Sequence, residues 1–116
     1  MTILYGIPNC STVKKARDWL TEQAAPHQFH DFKKQGVPET QLDAWLQAVG
    51  WEVLLNRKGT TWRKLDDATK AAVVDTASAK ALMLAQPSVI KRPVVAWADG
   101  HVTVGFDADK FTARLP

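Results

Sequence analysis

Residues 4–16 read LYGIPNCSTVKKA, and the prediction of the fold starts from this segment. Its first part is an apolar run that ends in a Gly-Ile-Pro-Asn turn, which predicts a buried strand entering a loop. From Ser11 onward, apolar residues recur at helical spacing, and Ser11 or Thr12 is expected to cap the helix start. The stretch therefore predicts a strand and a helix joined by a tight loop, with Cys10 where the helix begins.

A second strand is predicted directly after this helix. Residues 27–32, HQFHDF, carry two aromatic side chains between Pro26 and a KKQG turn, which favours a strand. Strand, helix and strand in this order form a βαβ unit, whose two strands run parallel.

The middle of the chain, about residues 38–87, predicts only helices. Four apolar residues before Gly50 follow the i, i+3, i+4, i+7 pattern of an amphipathic helix: Leu42, Trp45, Leu46 and Val49. After this helix, an apolar turn is predicted over residues 51–55 and a basic loop over residues 56–65. Two short helices are predicted over residues 66–76 and 77–86, with a break between them near Asp75.

Strands return in the C-terminal part of the chain. Residues 89–97 and 101–104 form two β-rich runs joined by an Asp-Gly turn, which predicts an antiparallel hairpin. A final short helix follows, capped by Asp107. We therefore expect one α/β domain over residues 1–116: β-α-β, a helical insert, then β-β-α, around a four-stranded mixed sheet.

The single cysteine in 116 residues limits the chemistry that the chain can perform. A domain of this length forms a core without disulfides or metal. One cysteine excludes an intramolecular disulfide, a multi-cysteine metal site and an internal CxxC pair. Any thiol chemistry must therefore take its second sulfur from another molecule.

The charge pattern favours a small anionic ligand. Fifteen Lys and Arg against twelve Asp and Glu give a net charge of +3, spread in pairs, whereas nucleic-acid binding usually needs a basic stripe. The N-terminus has no cationic segment before a long apolar run, so we expect no signal peptide, no membrane span and a cytoplasmic location. His27, His30 and His101 lack metal-ligand spacing, so no metal is expected, and a monomer is the default.

Cys10 is the candidate reactive group. A helix N-terminus lowers a cysteine pKa from about 8.5 to roughly 3.5–7.5, and Lys14 and Lys15 add positive charge in the first turn. The alternative is a buried cysteine that only fills space, but the turn-forming residues around it favour a reactive thiolate. A C-x5-R phosphatase loop would need arginine at Ala16, and a C-x2-C pair would need cysteine at Val13. A mechanism with one protein thiol and an external thiol remains.

Five segments, in order and spacing, resemble the ArsC/Spx family, and within it the small bacterial YffB branch. They cover nearly the whole chain: LYGIPNCSTVKKA (4–16), HDFKKQG (30–36), LLNRKGTTWRKL (54–65), IKRPVV (90–95) and VGFD (104–107). The resemblance implies a thioredoxin-like fold with a helical insert and Cys10 as the active thiol. It also implies a basic pocket at Arg92, in the RP motif, and at Arg57, or at Asn56 if the alignment slips by one residue.

The thioredoxin-like fold also implies a geometry at the junction between insert and sheet. A proline at this junction is cis in such folds and brings its backbone beside the active cysteine. Arg92-Pro93 occupies that place, so we expect Arg92 to approach Cys10, where a guanidinium can bind a carboxylate or oxyanion. On the residues alone, Arg57 is equally well read as a solvated loop charge.

Two departures from the family pattern argue against arsenate reduction. Glutaredoxin-coupled arsenate reductases of this family have a histidine four residues before the active cysteine, where this chain has Gly6. They also have a third arginine shortly after the final strands, where this chain has none before Arg114. Each missing group removes charge-assisted bonds of about 1.5–3 kcal/mol.

The sequence therefore favours a glutathione-dependent thiol oxidoreductase, with glutathione as co-substrate joined through a mixed disulfide. The expected site comprises the thiol, two thiolate-stabilising lysines and four substrate-binding residues: Cys10; Lys14 and Lys15; Asn9, Arg57, Arg92 and the backbone of Pro93. One alternative is an arsenate reductase coupled to glutathione and glutaredoxin. Another is an Spx-like regulator that binds RNA polymerase, although Val13 breaks the C-x2-C switch typical of Spx proteins.

Overall fold

A mixed four-stranded sheet underlies the predicted site in the computed structural model, which describes residues 1–115. Its strands are β1 (Thr2–Gly6), β2 (His27–Asp31), β3 (Val94–Ala96) and β4 (Val102–Val104), in the spatial order β2-β1-β3-β4. β1 pairs parallel with β2 and antiparallel with β3, and β3 pairs antiparallel with β4. The predicted βαβ unit, C-terminal hairpin and mixed sheet are all confirmed.

The chain divides into two compact units. The first comprises Met1–Gly36 and the chain from Arg92 onward, and the second is Val37–Lys91. Besides the sheet, the first unit holds α1 (Ser11–Glu22), α2 (Phe32–Gln35) and α8 (Ala108–Thr112). The second unit is helical, with α3 (Glu39–Val49), α4 (Trp51–Leu54), α5 (Thr60–Lys64), α6 (Asp67–Ala71), α7 (Thr76–Ala85) and a 3-10 turn (Pro87–Val89).

Two details of the first unit correct the sequence-based expectations. The cap position of α1 is Cys10, while Ser11 and Thr12 already belong to the helix, so the predicted hydroxyl cap was wrong. Phe32 begins α2 instead of ending β2, because the Asp31 carboxylate accepts a hydrogen bond from the Lys33 amide at 2.8 Å and so starts a helical turn.

The second unit contains more regular structure than its sequence indicated. Residues 51–54 are helical, and the segment predicted as a basic loop contains α5. Residues 87–89 form a 3-10 turn, and Ile90 makes only an isolated bridge with Leu55, so the predicted β-run begins later, at Val94. Val89 and Ile90 are both fully buried. Buried residues are apolar in a turn as well as in a strand, so their apolar character did not distinguish the two.

Side-chain caps and apolar spacing explain the elements that were predicted well. α3 buries Leu42, Trp45 and Leu46, as its periodicity predicted. The predicted break before α7 lies at Asp75, whose carboxylate accepts from the Ser78 amide at 2.9 Å in a capping box. Asp107 caps α8 by accepting from two backbone amides.

The core of the first unit lies against the Cys10 loop. Its residues lie in or next to β1, α1, β3 and α8: Leu4, Val13, Ala16, Leu20, Val95, Trp97 and Phe111. Cys10 packs against this core. Val13 also contacts Gly6, since a Cβ at Gly6 would lie 2.8 Å from Val13 Cγ2. The end of β1 and the first turn of α1 are therefore packed too closely for a side chain at residue 6.

We expect Gly6→Ala to lower the free energy of unfolding by about 1–3 kcal/mol, because the new methyl group overpacks a fully buried and stiff Val13. In a Val13→Ala background, the same substitution should cost much less. Denaturant unfolding of both single variants, the double variant and the unmutated protein measures this coupling. An equal cost of Gly6→Ala in both backgrounds would show that the contact is not limiting.

Candidate active site

The Cys10 thiol lies where β1 has turned into α1. Its backbone is extended, with φ −107° and ψ 124°, as is usual for a residue that precedes a helix. Its carbonyl accepts a hydrogen bond from the Lys14 amide at 2.9 Å, so the side chain stands at the first turn. The residue is partly buried, which leaves the sulfur between core and solvent.

Opposing effects act on the pKa of the Cys10 thiol, and their net result is to lower it. Burial raises the pKa, whereas the Val13 amide, the Arg92 side chain and the Thr12 amide lower it by hydrogen bonding to the sulfur, and the positive charge of Arg92 adds to this effect. Each of these groups stabilises the charged form of the thiol. The site therefore favours the thiolate, which is the nucleophilic form of cysteine.

Arg92 is brought to Cys10 by the start of β3. The Arg92-Pro93 peptide bond is cis, and the predicted approach of Arg92 to Cys10 is present. That the Pro93 backbone lines the substrate cleft stays a prediction; its carbonyl accepts a hydrogen bond from the Gly105 amide at 2.8 Å. Pro93 is itself buried.

Asn9 is exposed beside Cys10 and is held by a residue that sequence reasoning missed. Its Oδ1 accepts a hydrogen bond from Lys33 Nζ at 3.3 Å. The parallel pairing of β1 with β2, which sets Gly6 opposite Asp31, brings Lys33 to this loop. The pairing was predictable, but the path of the chain after β2 depends on the Asp31 cap.

The structure gives no support to the predicted thiolate-stabilising role of Lys14 and Lys15. Both side chains are exposed on α1, and the groups that shift the Cys10 pKa include neither of them. Water and salt screen the charge of long ammonium side chains in solvent. A lysine near the helix start therefore has little electrostatic effect on the Cys10 sulfur.

Arg57 belongs to the second unit, where it is exposed between α4 and α5. Its guanidinium lies 5.3 Å from the centre of the Trp51 ring, close enough for a cation–π contact. The neighbouring Asn56 is engaged, since its Oδ1 accepts from the Lys58 amide at 3.2 Å and its amide donates to the Val89 carbonyl at 2.8 Å. Of the two residues considered for a second cationic position, Arg57 thus keeps its polar group in solvent.

The three histidines make local contacts. His27 Nδ1 lies 2.8 Å from the Ala25 carbonyl, His30 Nε2 lies 2.8 Å from the Gly36 carbonyl, and His101 pairs with Asp99 at 3.1 Å. Within residues 1–115, no group of three or more His, Cys, Asp or Glu side chains could hold a metal ion. The helices of this part of the chain are all too short or too polar to cross a membrane.

Known proteins resemble the chain along its whole length. The model of the ArsC family matches residues 5–113. A solved structure named YFFB protein is 49% identical over the full length of both chains, with a TM-score of 0.93. An arsenate reductase (ArsC) related protein from Brucella melitensis is 50% identical, covers 97% of this chain and 92% of its own, and has a TM-score of 0.75.

A regulator is also among the relatives. The global transcriptional regulator Spx 1 of Lactococcus lactis is 27% identical over 122 residues, which cover 100% of this chain and 90% of the regulator. Similar proteins therefore include one named as related to arsenate reductase and one named as a transcriptional regulator, so similarity alone does not distinguish these functions.

Proposed function

This chain belongs to the ArsC family, and from that membership we propose that it is a thiol oxidoreductase that uses Cys10 and takes its reducing thiol from glutathione. The observation that carries the proposal is the lowered pKa of a lone thiol that Arg92 and two helix amides contact. A cytoplasmic location, where glutathione is abundant and thiols stay reduced, fits this chemistry.

The proposed reaction has two thiol–disulfide exchanges. In the first, the Cys10 thiolate attacks the glutathione sulfur of a mixed disulfide R–S–S–G, forms Cys10–S–S–G and releases the thiolate R–S⁻, which takes a proton from solvent. In the second, a glutathione thiolate attacks the glutathione sulfur of that adduct, releases the Cys10 thiolate and leaves as oxidised glutathione. The net reaction converts the mixed disulfide and one glutathione thiol into R–SH and oxidised glutathione, and the protein returns to its starting state.

Three side chains have proposed roles besides Cys10. Arg92 stabilises the Cys10 thiolate both as attacking and as leaving group, and it is placed to hold a carboxylate of the bound thiol. Asn9, fixed by Lys33, lines the entrance beside the sulfur. Arg57 is the proposed second anion-binding residue, on the strength of the family resemblance and its exposed guanidinium.

The proposal is tested by following the reduction of a small disulfide with glutathione as the only reductant of the disulfide. Glutathione reductase returns the oxidised glutathione to glutathione, and the NADPH that this step consumes measures the rate. We expect a rate proportional to protein concentration that saturates with glutathione. A rate equal to that of buffer would overturn the proposal.

Arsenate reduction is the alternative that the reductase-related relatives favour. The family's arsenate reductases carry a histidine at the position of Gly6, and here a side chain at that position would overlap Val13. We therefore expect no arsenite above background from arsenate, glutathione and glutaredoxin. Protein-dependent arsenite formation would make arsenate reduction the better account.

A regulatory role is the alternative that the Spx relatives favour. Because Val13 replaces the second cysteine of the Spx switch, this chain has no internal dithiol that oxidation could close. We expect RNA polymerase to show no retention on the immobilised protein, whether reduced or oxidised. Redox-dependent retention would support the regulator instead.

A further inference from the structure

A polar cleft beside the Cys10 loop has no role in the chemistry described so far. Four of its lining residues occupy positions i, i+3, i+4 and i+7 of α1 and so share one helix face: Lys14, Arg17, Asp18 and Thr21. The other two are Pro8, in the loop before α1, and His27, at the start of β2. Its volume is about 480 Å³, which lies within the range of small-molecule sites.

The cleft contains positively and negatively charged side chains. Lys14 and Arg17 are cations and Asp18 is an anion, and no ion pair engages any of them within the described part of the chain, residues 1–115. The Arg17 guanidinium lies 4.1 Å from the centre of the Phe29 ring, a contact that restricts its position.

His27 adds a hydrogen-bond acceptor. Its Nδ1 lies 2.8 Å from the Ala25 carbonyl, and a carbonyl can only accept, so Nδ1 carries the hydrogen. In the neutral ring, Nε2 is then an acceptor. The cleft therefore offers two cationic donors and one carboxylate, and Nε2 of His27 is an additional acceptor when the ring is neutral.

This combination fits the zwitterionic end of an amino acid. Its α-carboxylate can pair with Lys14 and Arg17. Its α-ammonium group can pair with the Asp18 carboxylate and donate a hydrogen bond to His27. A simple oxyanion would leave Asp18 facing it with like charge, so the mixed lining favours the zwitterion.

We propose that this cleft binds the γ-glutamyl end of glutathione while the glutathione sulfur reacts at Cys10. The inference rests on the proposed function and adds Lys14, Arg17 and Asp18 as substrate-binding residues. Lys14 donates its amide to the Cys10 carbonyl, so the cleft begins one helical turn from the reactive residue. A tripeptide spans roughly 10 Å when extended, which is long enough to reach from one to the other.

Lys14 and Lys15 provide a matched pair for the test. Both are exposed lysines in the first turn of α1, but Lys14 lines the cleft and Lys15 is not among its lining residues. Lys14→Ala and Lys15→Ala remove the same charge from the same turn, so a general electrostatic effect on the thiol would affect both alike.

The experiment measures how fast three symmetric disulfides modify Cys10, by intact mass against time. Oxidised glutathione and the disulfide of γ-glutamylcysteine carry the γ-glutamyl end, and the disulfide of cysteinylglycine lacks it. We expect Lys14→Ala to slow the first two by about fivefold, the upper end for an exposed charge pair, and to leave the third unchanged. Arg17→Gln should act in the same way, and Lys15→Ala should change none of the three rates.

The outcomes separate the two proposals. Equal slowing by Lys14→Ala and Lys15→Ala, or equal slowing of all three disulfides, would overturn the cleft assignment while the chemistry at Cys10 stands. No modification of the unmutated protein by any of the three would overturn the proposed function itself. An unchanged Cys10 pKa in Lys14→Ala would confirm that the variant acts on binding and not on the thiol.

Discussion

Replacing Cys10 with serine is expected to reduce glutathione-dependent disulfide reduction to the uncatalysed rate. The hydroxyl is the only group left at the reacting position, and it is neither ionised at neutral pH nor able to form a disulfide. The coupled assay described above measures the loss. Since the side chain is small and only partly buried, the variant should fold, and its stability should differ from that of the unmutated protein mainly by the contribution of the thiolate.

The controls for Cys10→Ser use the same assay. Lys15→Ala, which changes the same helix turn outside the cleft, should keep the full rate. A Cys10→Ser protein that is folded and still turns over disulfide would show that the activity comes from another group or from a contaminant.

Replacing Arg92 with glutamine should have the second largest effect. The guanidinium both donates to the sulfur and contributes positive charge that lowers the Cys10 pKa, so its removal should raise that pKa toward the ordinary value. At neutral pH, alkylation by iodoacetamide should slow by about three- to tenfold, a range reduced for screening at a partly exposed group. Oxidised glutathione, whose carboxylate is also proposed to use Arg92, should react more slowly still.

The pH dependence of stability gives an independent test of the thiolate. Because the folded pKa of Cys10 is lowered, the unfolded state binds its proton more tightly, and the ionised thiol stabilises the fold. This contribution is fully present above the unfolded pKa of about 8.5, and it is lost as the pH falls through the lower folded pKa. The stability of the unmutated protein relative to Cys10→Ser should therefore increase with pH across that window, and less so in an Arg92→Gln background.

Arg92→Lys is the matched control for the guanidinium. It keeps the charge but loses the planar donor group that can bind a carboxylate with two bonds. We expect an alkylation rate close to that of the unmutated protein and a slower reaction with oxidised glutathione. If Arg92→Gln and Arg92→Lys both left the thiolate titration unchanged, Arg92 would have no part in activating Cys10.

Two departures from the arsenate reductase and Spx patterns meet at one contact. The absent histidine corresponds to Gly6 and the absent second cysteine to Val13, and a Cβ at Gly6 would lie 2.8 Å from Val13 Cγ2. With Val13 in this position, a side chain at residue 6 would be overpacked.

The sequence predicted those parts of the molecule that short-range patterns determine. The end of β1, the start of α1 and the helix over Glu39–Val49 follow from apolar spacing, turn residues and caps. The approach of Arg92 to Cys10 followed from the fold that the family resemblance implies. Lys33 could not be placed in this way, because its contact with Asn9 depends on a turn of helix that the Asp31 carboxylate begins.

The roles of the two lysines could not be separated from the sequence. Lys14 and Lys15 are adjacent and have the same charge, so proximity to a helix N-terminus treats them alike. In the structure the 100° step between successive helix residues places Lys14 at the cleft, while the Val13 and Thr12 amides contact the sulfur. The direction of the side chain on the helix therefore determines which of the two lysines lines the cleft, and composition does not give this direction.

If one activated thiol takes its second sulfur from glutathione, the intact mass of the protein after exposure to oxidised glutathione should show the mixed disulfide. We expect one glutathione per chain, attached at Cys10 and removed by added glutathione. The adduct should form fastest above the lowered Cys10 pKa. A protein that remains unmodified, or an adduct that glutathione does not remove, would show that Cys10 does not react in this way.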